Sequence, residues 1–141
     1  TVMAGDELIA GVRIPLPAPE EFFRIYKISR RKDLDISTFT AAFRADVRGG
    51  VIADIRIAYG GVGPVILRLP RTEAQLRGAA FTEETFRAAG DTARAEITPL
   101  SDVRGTADYR LQLAENILLK FYAQSAARAA HAPAAAANGE Q

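Results

Sequence analysis

Residues 39–59 read FTAAFRADVRGGVIADIRIAY and carry the clearest structural signal in the chain. Apolar and polar side chains alternate on both sides of Gly49-Gly50, which is the pattern of two half-buried β-strands. The predicted inward faces consist of Phe39, Ala41, Phe43, Ala45 and Val47 in the first run and of Val51, Ala53, Ile55, Ile57 and Tyr59 in the second. Because glycine readily adopts the positive φ angles that tight turns require, the stretch predicts a β-hairpin.

Two further strands are predicted on the N-terminal side of this hairpin. Alternating apolar residues mark the first of them: Leu8, Ala10, Val12 and Ile14. The second covers residues 21–29 (EFFRIYKIS), although Phe22 and Tyr26 would also suit one face of a helix. Three prolines within residues 15–19 favour an extended connector between the two strands.

The second half of the chain carries helical signals. Residues 72–75 fit a capping box, Gly78 fits a helix stop, and Thr82 followed by two glutamates predicts another helix start. Apolar residues then recur at helical spacing; they are Phe86, Ala89 and Ala93, followed by Ala107, Leu111, Ala114, Leu118 and Phe121, with the small polar Ser125 at the next position of the same face. Strands followed by helices predict an α+β fold, with an antiparallel sheet of about three or four strands and the C-terminal helices packed on one face.

Length and composition restrict the classes of function. The chain has 141 residues, which fits one domain, and we place that domain at 1–125 and an Ala-rich tail, expected to be disordered, at 126–141. It contains no cysteine and one histidine, which excludes disulfides, thiolate metal sites and cysteine nucleophiles from these residues and argues against a Ser-His-Asp triad. A net charge of +1 and the lack of a long apolar run predict neither a nucleic acid nor a membrane as partner.

Two segments stand out as candidate sites. Charge is concentrated at residues 27–35 (KISRRKDLD), where a solvated loop is the simpler interpretation and a cationic wall for an anionic or electron-rich ligand is the alternative. The glycine-rich segment 59–64 lacks the Gly-Lys-Ser/Thr of a P-loop and is interpreted as a tight connection. Arg104 and Arg110, near a helix start, could bind an anion, but surface salt pairs are the simpler interpretation.

Three sequence blocks together suggest a family. Residues 22–37 (FFRIYKISRRKDLDIS) resemble the FF…KxSRRxDxDIS stretch of xanthine dehydrogenase flavin subunits. Residues 58–62 (AYGGV) and 98–110 (TPLSDVRGTADYR) resemble two further blocks of that family, in the same order and spacing. The similarity covers about Glu7 to Phe121. Related CO dehydrogenase flavoprotein subunits share the architecture but usually lack so full a first block, so the xanthine dehydrogenase branch is favoured.

The resemblance implies an electron-transfer role. In that family, purine hydroxylation at a molybdopterin cofactor releases electrons, which pass through [2Fe–2S] clusters to FAD and then to NAD. The chain is similar to the small C-terminal domain that covers part of the flavin. The resemblance assigns cofactor binding to Lys27, which reaches the flavin, and to Arg30, Arg31 and Asp33, which lie beside the isoalloxazine. It assigns no catalytic residue and no metal ligand to this chain.

The same resemblance implies partners that carry the other redox groups. These are an upstream FAD-binding domain, an iron–sulfur domain and a molybdenum-binding subunit, in a cytoplasmic enzyme. Because the family's glycine-rich FAD motifs lie upstream and the chain starts at Thr1, we expect a fragment that is inactive alone. Two alternatives stay open: a non-catalytic docking or assembly module, and the equivalent domain of a CO dehydrogenase-like or aryl hydroxylase relative.

Overall fold

The computed structural model describes residues 3–18, 21–32 and 34–131. Its elements, in chain order, are β1 (Phe22–Ile28), β2 (Phe39–Arg48), β3 (Val51–Gly60), β4 (Leu67–Arg68), α1 (Pro70–Leu76), α2 (Glu83–Ala95) and α3 (Ala107–His131). The strands form one antiparallel sheet in the order β1-β2-β3-β4. The predicted α+β fold is therefore confirmed.

The central hairpin forms as its sequence predicts, with one change of phase. Gly49 and Gly50 both have positive φ, at 56° and 77°. The register then steps from the pair Asp46–Asp54 to the pair of Val47 with Ile52, passing over Ala53. Such a bulge shifts every following side chain by one position, so the buried side chain near the turn is that of Ile52. The prediction that residues 51 and 53 face inward is wrong. Alternation in the sequence does not show that one strand contains an extra, unpaired residue.

The predicted first strand is absent from the structure. Residues 7–18 form no regular secondary structure and pair with no strand within the described chain, and Leu8, Val12 and Ile14 are 77–79% exposed. Alternation indicates which face of a strand is apolar, whereas a strand also requires a neighbour to accept its backbone hydrogen bonds. The second predicted strand is confirmed as β1, and the helical alternative for this segment is excluded.

The short helix α1 begins differently from its prediction. It starts at Pro70, so Thr72 lies in its first turn rather than at the cap. The carboxylate of Glu96 accepts the backbone N–H groups of Arg71 and Thr72, each at 2.7 Å, and thereby caps the helix from another element. The capping box is therefore wrong, whereas Gly78 follows the helix with φ of 81° and ends it as predicted.

The other two helices follow their sequence signals. The hydroxyl of Thr82 caps α2 by accepting the N–H of Thr85 at 3.3 Å. In α3 the predicted apolar positions Ala114, Leu118 and Phe121 are fully buried. Helix α3 continues through His131, into the first part of the predicted tail, and residues 132–141 lie outside the described residues.

Aromatic side chains join the sheet to the helices. Phe43, on the inner face of β2, stacks on Phe121 of α3 with ring centroids 4.6 Å apart. Tyr26 and Tyr59, from the flanking strands, meet the Phe43 ring edge-on, which is a favourable arrangement for aromatic pairs. The core therefore lies between one face of the sheet and α2 and α3, and the opposite face of the sheet carries no helix among the described residues.

Candidate functional site

Three loops meet at one end of the sheet. They are the β1–β2 loop (29–38), the β3–β4 loop (61–66) and the α2–α3 loop (96–106). The first two lie together because β1 and β3 end, and β2 begins, at this end of the sheet. The Arg30 guanidinium donates to the carbonyl of Val103 at 3.1 Å, and the Thr38 hydroxyl donates to the carbonyl of Arg104 at 3.1 Å. We call this region, defined by the three loops, the loop end.

Glycine permits the close approach of the β3–β4 loop. Gly61 has φ of 78°, and a Cβ atom at this position would lie 2.6 Å from the carbonyl oxygen of Thr38. A side chain here would push the β3–β4 loop away from the β1–β2 loop. The segment that sequence analysis interpreted as a tight connection therefore holds two walls of the loop end together.

A buried arginine joins the loops from below. Arg110, on the first turn of α3, is 5% exposed. Its Nε donates to the carbonyl of Thr38 at 3.2 Å, one Nη donates to the carbonyl of Leu100, and the other donates to the Asp102 carboxylate at 2.8 Å. From the sequence, Arg110 was expected to bind an anion or to form a surface salt pair. It does neither, because its N–H groups donate to protein acceptors and its ion pair with Asp102 is largely buried on the arginine side.

Asp102 is the anionic partner in this arrangement. Besides the Arg110 contact, its carboxylate accepts the backbone N–H groups of Arg104 and Gly105 at 2.8 and 3.2 Å. The hydrogen bond from Arg110 and then that from the Arg104 backbone lower the pKa of the Asp102 carboxyl below its ordinary value. The α2–α3 loop is therefore folded around a charged side chain that stays ionised at neutral pH.

Two adjoining clefts open at the loop end. The first has a volume of about 570 Å³ and lies between all three loops; its lining comprises Ile36, Ser37, Gly61, Gly63, Pro64, Thr98, Leu100, Asp102, Arg104 and Arg110. The second has a volume of about 600 Å³; its lining comprises Arg30, Arg31, Asp35, Ile36, Val103 and Arg104. They share Ile36 and Arg104, so a ligand spanning both would contact apolar and cationic groups together.

Large apolar side chains surround these clefts in solvent. Six of them, each 63–99% exposed, belong to the three loops: Leu34, Ile36, Val65, Ile66, Leu100 and Val103. A cluster of exposed apolar residues with a polar rim is typical of a surface that binds a ligand or another protein. The loop end therefore has the chemistry of an interface.

The structure separates the residues that sequence analysis grouped. Arg30 and Arg31 line the second cleft, and Arg31 is oriented by Asp35, whose carboxylate accepts the Arg31 backbone N–H at 2.9 Å. Lys27 lies on the exposed face of the sheet, opposite Thr40 in the register, and lines neither cleft. Among the described residues it has no ion-pair partner. Asp33 lies outside the described residues.

Sequence analysis missed most of the first cleft. Thr98, Leu100 and Arg104 line it, and Arg110 forms its base. These residues lie far from the charged loop in sequence, and Arg110 is 72 positions from Thr38, to which it donates. The available signals were the position of Arg104 and Arg110 near a helix start and the TPLSDVRGTADYR block, and neither indicated which of these side chains would be buried.

Comparison with known proteins places this arrangement in a family. Residues 24–125 match the CO dehydrogenase flavoprotein C-terminal domain. The chain belongs to this family. The predicted resemblance is thus confirmed at the level of the domain.

Individual relatives extend the comparison. The chain is 34% identical over 114 residues to the carbon monoxide dehydrogenase medium chain of Hydrogenophaga pseudoflava, covering 81% of this chain and 39% of that one. It is 25% identical over 126 residues to the xanthine dehydrogenase FAD-binding subunit of Escherichia coli O157:H7, covering 88% and 43%. A solved structure of the Hydrogenophaga pseudoflava carbon monoxide dehydrogenase superimposes with a TM-score of 0.74 at 35% identity, over 82% of this chain and 40% of that one. The chain therefore spans about two fifths of the length of these relatives.

The comparisons do not favour the xanthine branch over the other. The carbon monoxide dehydrogenase chain shares more identity with this protein than the xanthine dehydrogenase subunit does, at 34% against 25%.

None of the helices in the described residues has the length and apolar character that a membrane-spanning helix requires.

Proposed function

We propose that this chain is the C-terminal domain of the flavin subunit of a molybdenum hydroxylase, and that its loop end covers part of the bound FAD. The observation that carries the proposal is the pair of clefts at the loop end, where exposed apolar side chains stand beside arginines. Family membership supports it, because the family is a flavoprotein domain and the E. coli relative is an FAD-binding subunit.

The residues of the loop end fit one portion of FAD better than the other. An isoalloxazine ring has apolar faces and polar edges, and the first cleft offers Ile36, Pro64 and Leu100 for the faces and Ser37 and Arg104 for the edges. The described residues contain no P-loop or GxGxxG cradle for a pyrophosphate. We therefore assign the ring, and not the diphosphate, to this domain, with the remainder of FAD held by an upstream domain.

Cations near the ring would adjust its redox behaviour. FAD, when bound, passes electrons between the iron–sulfur clusters of partner domains and an acceptor. Reduction adds negative charge to the ring, and a nearby cation stabilises that charge and raises the reduction potential. We assign this role to Arg30 and Arg31, which line the second cleft beside the first, and, on the resemblance alone, to Lys27, which lines neither cleft, with Asp33 beside them as the resemblance implies. The exposed position of Lys27, without an ion-pair partner among the described residues, leaves its charge available.

The finer identity of the enzyme is also a proposal. The block at residues 22–37 favours a xanthine dehydrogenase, in which purine hydroxylation at molybdopterin supplies the electrons and NAD receives them. A carbon monoxide dehydrogenase-like enzyme is the alternative, and the 34% identity to a medium chain of that kind supports it. Substrate assays on the assembled enzyme, with purines and carbon monoxide in parallel, distinguish the two.

A docking or assembly module is the second candidate function. It is favoured by the segment 7–16, where Leu8, Ile9, Val12, Ile14 and Leu16 are all largely exposed. Apolar side chains presented in this way are typical of a surface that another polypeptide covers.

The test uses the assembled enzyme with Lys27→Gln and, as a control, Arg87→Gln on the exposed side of α2, where Arg87 pairs with Glu83. Rapid-reaction absorbance follows iron–sulfur reduction by substrate and flavin reduction by the clusters separately. Because loss of the cation lowers the flavin potential, we expect Lys27→Gln to slow electron transfer from the clusters to the flavin about tenfold, the effect of one charged contact, and to leave iron–sulfur reduction by substrate and the control unchanged. Unchanged flavin kinetics would refute the assignment of Lys27, and loss of assembly alone would favour the docking module.

A further inference from the structure

Arg110 is bonded in a way that its charge alone does not require. The guanidinium is almost fully buried, and three of its nitrogen atoms donate to three separate acceptors. Two of these acceptors are backbone carbonyls, of Thr38 and Leu100, and they belong to different loops. Burying a cation is unfavourable unless the cation is paired and hydrogen-bonded. The buried Arg110 guanidinium therefore requires all of these contacts at the same time.

The acceptors belong to two of the loops that form the clefts. Thr38 is the residue at which the β1–β2 loop rejoins the sheet, and its backbone N–H donates to the carbonyl of Ile28 at 2.8 Å, closing that loop. Leu100 and Asp102 lie in the middle of the α2–α3 loop. The planar fork of Arg110 therefore joins the base of one loop to the middle of the other, and both loops line the first cleft.

We propose that Arg110 is a positioning residue for the flavin: by bridging Thr38, Leu100 and Asp102 it holds the β1–β2 and α2–α3 loops at the spacing that the isoalloxazine requires. This inference rests on the proposed function. The side chains that meet the ring belong to the loops, and Arg110 acts on them through their backbones.

Arginine is needed here for its shape. A lysine carries the same charge, but all its N–H groups are on one nitrogen atom. The ammonium group therefore reaches one of these acceptors and leaves the others unpaired. Arg110→Lys therefore keeps the positive charge and removes the bridge. Asp102→Ala is a second variant with the same consequence, since it removes an acceptor of Arg110 and of two backbone N–H groups and leaves Arg110 in place.

The experiment compares these variants in the assembled enzyme with Ile52→Ala. Ile52 is fully buried beside the hairpin turn, at the opposite end of the sheet, so its truncation lowers stability without touching the loop end. Three quantities are measured: the FAD dissociation constant, the flavin reduction potential, and amide hydrogen exchange in residues 34–38 and 97–106.

We expect Arg110→Lys and Asp102→Ala to weaken FAD binding about tenfold or more and to accelerate exchange in both loops together, and we expect Arg110→Lys, which keeps the charge, to change the flavin potential through the altered spacing of the loops. Ile52→Ala is expected to lower the unfolding midpoint without changing the potential. If both loop-end variants keep the wild-type FAD affinity and potential while Lys27→Gln alters the flavin, the positioning role is refuted and the proposed function stands. If none of these variants, Lys27→Gln included, alters the flavin, the proposed function fails as well.

Discussion

Glu73 provides the sharpest test of how the sheet is completed. Strand β4 has only two residues, and its pairing with β3 covers Ala58 and Tyr59. The next amide of β3, that of Ile57, donates instead to the Glu73 carboxylate at 2.8 Å, although Glu73 belongs to helix α1. The same carboxylate accepts both the Nε and an Nη of Arg68, at 2.8 and 2.7 Å. A side chain thus replaces a missing strand residue.

The cost of removing this carboxylate follows from its two kinds of partner. Glu73→Ala leaves the buried Ile57 N–H without an acceptor, which costs about 1–3 kcal/mol. The pair with Arg68 is half exposed on the arginine side and contributes at most about 1 kcal/mol. We therefore expect Glu73→Ala to lower the free energy of unfolding by about 1–4 kcal/mol. Glu73→Gln keeps an oxygen for the amide and should cost only about 1 kcal/mol.

Urea denaturation of the three proteins, with the m-value checked for constancy, measures these differences. Glu84→Ala serves as the matched control, because Glu84 is an exposed carboxylate in the first turn of α2 and its loss should cost less than about 1 kcal/mol. Surface substitutions usually change the free energy of unfolding by less than about 0.5 kcal/mol. If the free energy of unfolding of Glu73→Ala lies within this range of the wild-type value, the side chain does not complete the sheet.

Two further predictions concern a buried hydroxyl and an ionised carboxylate. The Ser125 hydroxyl is buried without a hydrogen-bond partner in the described part of the chain, so Ser125→Ala should raise the unfolding free energy by roughly 1 kcal/mol in a thermal or urea titration. A decrease would show that the hydroxyl has an acceptor. The hydrogen bond from Arg110 and then the Arg104 backbone lower the pKa of Asp102 in the folded state, so the stability it contributes is present above the unfolded-state value near 3.8 and is lost as the pH falls through the lowered value. Asp102→Asn should flatten the acid side of the stability profile, and identical slopes for the two proteins would contradict this assignment.

Local patterns were sufficient where each residue's role depends on its neighbours in sequence. The Gly49-Gly50 turn, the inner face of β2 and the Thr82 cap all depend on contacts within a few residues, and all three were predicted correctly. The errors have the opposite character. The bulge at Ala53 requires two strands to be aligned, and the cap of α1 comes from Glu96, which follows the end of α2.

The candidate site divides in the same way. The charged loop with Arg30 and Arg31 was visible in the sequence, because a run of like charges between two strands is a local feature. Arg104 and Thr98 joined it only after folding, since the loops come together through the order of strands in the sheet. Sequence reasoning placed Lys27 in the same group, whereas the pleat directs it to the open face of the sheet.

By itself, the sequence determined an antiparallel hairpin followed by amphipathic helices, since alternation, glycine turns and helical spacing act over a few residues, and its motifs determined the family. Only the tertiary structure decided what Arg110 does. Nothing local distinguishes a surface arginine from one whose fork reaches Thr38, 72 positions earlier, and Leu100 and Asp102 in another loop. Its role depends on burial, and burial is a property of the packed chain, in which a charge must find its acceptors wherever folding brings them.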